Sequence, residues 1–195
     1  MIQLGEISKA EAARYMGIRT APDDMTAELL DRYEKIVRER LRPAYAYREA
    51  QLTFSKEGIY LSGLSVPLTG VSIHKLLADC KSAVVLAATV SAEADKLIRQ
   101  TSAQNMAAAL VVDALCGAAV ERLCDIAEQE IFGNMPRNMR TARFSAGYGD
   151  LPIQLQRELL NYLDAYRRIG LSCTENHLLT PTKSVTAIIG INTNP

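Results

Sequence analysis

Tryptophan is absent, and the chain has three phenylalanines and two histidines in 195 residues. His74 and His177 lie far apart. Cys80, Cys116, Cys124 and Cys173 form no C-x-x-C pair, so no metal-ligand spacing is present. The four thiols read as buried or half-buried groups in a reducing compartment. No cysteine, serine or lysine is paired in sequence with a base, so no catalytic residue is assigned. Net charge is missing too. Lys+Arg is 22 and Asp+Glu is 22, which leaves no polyanion-binding footprint and no expectation of nucleic acid. Long apolar runs are also lacking. The longest, 83–88 and 106–112, are far short of the roughly 20 residues a membrane span needs. Met1-Ile2-Gln3-Leu4-Gly5-Glu6 has no basic region leading into an apolar one, so no signal peptide is expected. These absences predict a soluble, cytoplasmic chain without a membrane partner.

What is present suits a packed core. Apolar residues make up 48 % and charged residues 23 %. The length fits one domain over 1–195, with 1–43 as a helical arm packed on it. Ser8-Lys9-Ala10-Glu11 is a capping box opening a short helix. Asp23 or Asp24 caps the next, over 25–42, with Leu30, Tyr33 and Val37 on one face and Asp31, Glu34 and Lys35 among the charged residues of the other. Residues 45–61 read as extended, and Glu57-Gly58 between Leu52-Thr53-Phe54 and Ile59-Tyr60-Leu61 predicts a hairpin or tight turn. Ser72 is expected to cap a helix over 72–79. The run 83–89 is apolar on both faces and predicts a central strand covered on both sides.

Ser91 caps a helix through Ile98, and Ser102 is expected to start a long one ending at Gly133. This helix is apolar nearly all round, as a buried central helix should be. One stripe breaks the rule: Asp113, Gly117 and Glu121 share a face at i, i+4 and i+8. They form either a solvent edge or the wall of a polar cleft. A helix after Pro152 should bury Leu155, Leu159, Leu160, Leu163 and Tyr166 and end at Gly170. A short strand over 171–174, a turn over 178–184, a strand over 185–191 and a polar tail complete the chain.

Ligand chemistry concentrates in Arg143-Phe144-Ser145-Ala146-Gly147-Tyr148-Gly149-Asp150-Leu151-Pro152. Gly147 and Gly149 can take positive φ, and Asp150 can cap the helix that follows. Such a loop would offer free N–H groups, a guanidinium and a phenol to a ligand with a carboxylate and a flat heterocycle. The plain alternative is a tight loop with a solvated Arg and a packed Tyr. Arg137, Arg140 and Arg143 form a local basic cluster that serves an acidic protein partner or is simply solvated.

Three patches resemble one family. Residues 143–150 resemble the R-x-x-P-G-Y loop of the reactivation domain of cobalamin-dependent methionine synthase. Ile169-Gly170-Leu171-Ser172-Cys173-Thr174-Glu175 resembles its G-x-x-L-T-E-S strand, and Pro181-Thr182-Lys183-Ser184-Val185-Thr186-Ala187 its P-G-A-S-V-S-G turn. The resemblance runs from about residue 80 onward. It implies an α+β fold, C-shaped, with a twisted antiparallel sheet flanked by helices and a long buried central helix. It implies an accessory, activation role rather than stand-alone catalysis. S-adenosylmethionine would be bound, and cobalamin would sit on a partner: a shortened cobalamin-dependent methionine synthase or another corrinoid protein. A flavodoxin-like protein would donate the electron. Arg143, Ala146, Gly147 and Tyr148 are the implied ligand contacts, joined by Glu121 and Asp113 on the long helix. Ala146 replaces the family's loop proline, and the family's N-terminal D-W-T-P-F-F element and final strand have no counterpart. Two rivals are a docking module without an S-adenosylmethionine site and an unrelated small-molecule binder on the same fold. His74 and His177 lack the D-x-H-x-x-G setting of a cobalamin ligand.

Overall fold

The capping signals of the first two helices act as expected. In this computed structural model, which describes residues 2–192, Ser8 caps helix α1 (Lys9–Tyr15) and accepts the Glu11 N–H at 3.2 Å. Asp23 caps α2 (Asp24–Arg40) and accepts the Thr26 N–H at 2.7 Å. Glu34 departs from the expected charged face. It is buried, accepting the Ile7 N–H at 3.1 Å and pairing with Arg38 at 3.1 Å. Those partners make burial of its charge tolerable.

The hairpin forms between β1 (Ala44–Phe54) and β2 (Ile59–Leu61). Helix α3 (Val71–Leu77) and strand β3 (Cys80–Thr89) follow. Helix α4 (Ala92–Ser102) is capped by Ser91 as predicted. Ser102, however, ends α4 instead of starting the long helix. That helix, α5 (Met106–Phe132), is capped by Asn105, whose side chain accepts the Ala108 N–H at 3.0 Å. Gly133 closes it at φ 52°. The expected single helix after Pro152 is two, α6 (Leu155–Tyr162) and α7 (Ala165–Ile169). Asp164, left-handed at φ 51°, breaks them and turns Tyr166 out to solvent. Gly170 ends α7. Two short strands, β4 (Ser172–Cys173) and β5 (Leu179–Thr180), pair with each other, and β6 (Ser184–Asn192) is the last element. The polar tail expected from 193 on lies outside the described residues.

The main sheet is antiparallel throughout, in the order β2-β1-β3-β6. β3 is central and covered on both faces. Val84 and Leu86 pack with Ala127 and Phe132 of α5, while Ala83, Val85 and Ala87 pack with Leu155, Leu159 and Leu163 beside α6. That two-sided cover explains a continuous apolar run in an antiparallel sheet, where one wet face is more common. α1, α2 and α4 pack around α5, whose small residues Ala114, Ala118 and Ala119 permit close approach. The fold is therefore α+β, with a long buried helix on one face of a four-stranded antiparallel sheet. Among the described residues, no helix is long and apolar enough to cross a membrane.

Candidate functional site

The segment after α5 returns alongside the open edge of β6. Arg140 bridges to Ile191 and Phe144 to Ile188, the latter through hydrogen bonds of 3.0 and 2.8 Å. This lays loop 143–149 against the start of β6. Gly147 and Gly149 take φ of 89° and 55°, as the sequence required. A Cβ on Gly147 would stand 2.7 Å from Ile153 Cδ1. The loop is tied to itself, which corrects the expectation of free N–H groups at its tip. The Gly147 N–H donates to Leu151 O at 2.9 Å and the Tyr148 N–H to Ser145 O at 3.1 Å.

Asp150 is a second correction. It does not cap α6, which starts without a side-chain cap. It reaches across 78 positions to accept the Ser72 N–H at 3.0 Å and also accepts the Val71 N–H. Asp150, not Ser72, therefore caps α3 and fastens the loop to it. Those donated hydrogen bonds, from Ser72 first, hold its carboxyl below the ordinary carboxylate range.

Arg143 is half-buried and faces three carboxylates of α5. Its Nη2 donates to Glu121 at 2.9 Å, and its Nη1 donates to Asp125 at 3.2 Å and Glu128 at 2.9 Å. These bonds use three of the five guanidinium N–H groups. Arg140 lies 3.7 Å from Glu128 and stacks over Phe132 at 4.8 Å. Two of the three cations of the basic cluster, Arg140 and Arg143, thus have their acidic counterparts within the chain, along α5.

The turn before β6 is clamped from two helices. Thr182 bonds Asp95 of α4 through both its N–H and its hydroxyl. Lys183 pairs with Asp113 at 2.9 Å. Ser184 Oγ meets Thr89 Oγ1 at 2.8 Å. Asp113 is therefore spent on the turn.

Loop, turn and α6 border a cavity of about 480 Å³, open to solvent. Arg143, Ala146 and Tyr148 line one wall, and Glu121 joins them from α5. Thr182, Ser184 and Thr186 line another, with His177 and Leu178 at the β4–β5 turn. Gln156 of α6 also lines it. Of the residues expected from sequence, Gly147 shapes the loop without lining the cavity, and Asp113 lies outside it. Sequence reasoning missed Gln156, Thr186 and His177. The readable signal was Gln156, a polar residue at i−3, i−4 and i−7 of the apolar stripe Leu159, Leu160 and Leu163. The cysteines take no part. Burial pushes the Cys116 and Cys124 thiols up to about 12, which keeps them protonated at neutral pH. Among the described residues no group of histidine, cysteine and carboxylate side chains could hold a metal ion.

The chain shares its fold with the MetH reactivation domain solved bound to AdoHcy (S-adenosylhomocysteine). The likeness has a TM-score of 0.71 at 15 % identity and covers 97 % of this chain and 78 % of that one. No family model matches the chain, and no curated protein matches it in sequence.

Proposed function

We propose that this protein binds S-adenosylmethionine in the cavity and serves as an activation subunit for a cobalamin-dependent methionine synthase or another corrinoid partner. The single observation that carries the reading is convergence. Two of the three patches that resemble the reactivation family, the loop 143–150 and the turn 181–187, border one cavity, in a fold whose solved counterpart holds AdoHcy. The volume falls in the range of small-molecule sites.

The lining suits a zwitterion with a cationic centre. The Nε–H and one Nη2–H of Arg143 have no partner among the described residues, so a ligand carboxylate can still be met. The three carboxylates around that guanidinium leave the region net negative, which favours an α-ammonium or sulfonium near Glu121. Tyr148, 67 % exposed at the rim, offers its ring as one side of the mouth. Ala146 and Gly147 set the loop's approach, and Asp113 acts at one remove through Lys183. Cobalamin held by the partner and reduced through a flavodoxin-like one-electron donor would supply the methyl acceptor, and S-adenosylhomocysteine would be the product left in this chain's cavity. This chain's contribution is positioning: it holds the amino-acid and adenosyl ends and leaves the methyl outward.

The reading is tested in two stages. Calorimetry should show S-adenosylmethionine binding to the protein alone. Mixed with a shortened synthase and a one-electron donor, the protein should then speed conversion of cob(II)alamin to methylcobalamin in the cofactor spectrum. One observation favours a second reading, a docking module without its own ligand site: most of Arg143 is already committed to α5. No calorimetric heat, together with complex formation, selects that alternative.

A further inference from the structure

The buried face of α6 carries one side chain out of character with its neighbours. Gln156 is 3 % exposed, among Leu155, Leu159 and Leu160. Its Oε1 accepts the hydroxyl of Thr186, itself 1 % exposed, at 2.9 Å. Its Nε2 has no partner among the described residues, and it is not among the polar atoms sealed from solvent without one. Gln156 lines the cavity, and its amide nitrogen is the polar atom of that side chain left for a cavity occupant. Water can accept from that donor in the free protein, and a ligand that displaces the water keeps the affinity only if it offers an acceptor in its place.

The cavity has two chemically distinct sides because it straddles the edge strand β6. Val185 and Ile189 pack on the α5 face, where Glu121 and Arg143 stand. Thr186 and Ile188 turn to the α6 face, where Gln156 stands. Ionic groups gather on one side and neutral hydrogen-bonding groups on the other. A ligand whose amino-acid end takes the ionic side leaves its flat heterocycle at Gln156. A planar amide matches the ring nitrogens and amino group of a purine edge.

We propose that Gln156 is the base-reading residue of this cavity, its Nε2 donating to a ring nitrogen of adenine, an inference that rests on the S-adenosyl reading above. The test is calorimetry with S-adenosylhomocysteine and its 1-deaza, 3-deaza and 7-deaza counterparts, on the native protein and on Gln156→Met. Native protein should bind one deaza analogue about tenfold more weakly than the parent, the scale of one neutral hydrogen bond. Gln156→Met should lose about tenfold on the parent and no longer distinguish that analogue. If the variant binds the parent undiminished, or weakens parent and analogue equally, the base-reading role is overturned while the S-adenosyl reading stands. If the native protein binds none of the four, both fall. Should Gln156→Met not fold, the native deaza series alone decides: equal affinity for all four overturns the inference.

Discussion

Arg143 shows how one side chain can be both anchor and ligand group. From sequence it looked like a solvated or ligand-facing cation. In the structure it gathers Glu121, Asp125 and Glu128 of α5. Removing it would leave three carboxylates facing one another in a half-buried site. Breaking a buried pair costs about 3–5 kcal/mol and an exposed one little, so Arg143→Ala should cost about 1–3 kcal/mol in urea unfolding. Arg143→Lys should recover part of that, because charge survives and the fork does not. Loss of S-adenosylmethionine binding in Arg143→Ala therefore needs to be measured on protein shown to be folded. Asp150 gives a pH prediction. Its folded pKa lies below the ordinary carboxylate value, so its stabilisation is complete above the unfolded value of about 3.9 and is lost as pH falls through the folded one. The urea midpoints of native protein and Asp150→Ala should differ at neutral pH and draw together as pH drops from about 5 toward about 2. A gap constant with pH would remove the carboxylate's charge from the account.

At the scale of elements, helix starts were legible where the capping residue is local and misread where two candidates compete or the cap comes from afar. Ser102 and Asn105 both precede an apolar run, and only the backbone shows that Asn105 holds the Ala108 N–H. Asn105→Ala should cost about 1 kcal/mol in chemical denaturation and Ser102→Ala clearly less. The cap of α3 could not be read locally at all, since Asp150 is brought to it by the loop. β6 depends on close approach in a similar way. A Cβ on Gly190 would lie 2.5 Å from Cys80 Sγ and 2.6 Å from Leu77 Cδ2. Gly190→Ala should therefore destabilise by about 1–3 kcal/mol through overpacking, readable as a lower unfolding midpoint.

At the scale of the molecule, the two packed faces of the sheet meet at the β6 edge, and the cavity lies there. A ligand bound there should clamp α5, α6 and the final turn together. At ligand concentrations near 100 times Kd, S-adenosylmethionine should raise unfolding free energy by about 2.7 kcal/mol. Glu121→Gln should shrink that shift. Asp113→Asn, outside the cavity, should keep most of it. A thermal shift equal in all three proteins would place the ligand elsewhere.

Sequence by itself determined the local physics of this protein. The caps of the first two helices, the hairpin, the doubly apolar β3, the buried α5 and the glycine-bearing loop all follow from residues within a few positions of one another, where periodicity and turn chemistry act. It also marked Arg143, Tyr148 and Glu121 as worth placing together. Only the tertiary structure decided which partners they meet. Arg143 closes onto three α5 carboxylates, Asp113 turns to Lys183, Asp150 leaves its own helix for α3, and Gln156 surfaces at the cavity floor. Each of these contacts joins positions 15 or more residues apart. Side-chain pairing over such spans depends on how the two faces of the sheet pack, and no local pattern encodes that.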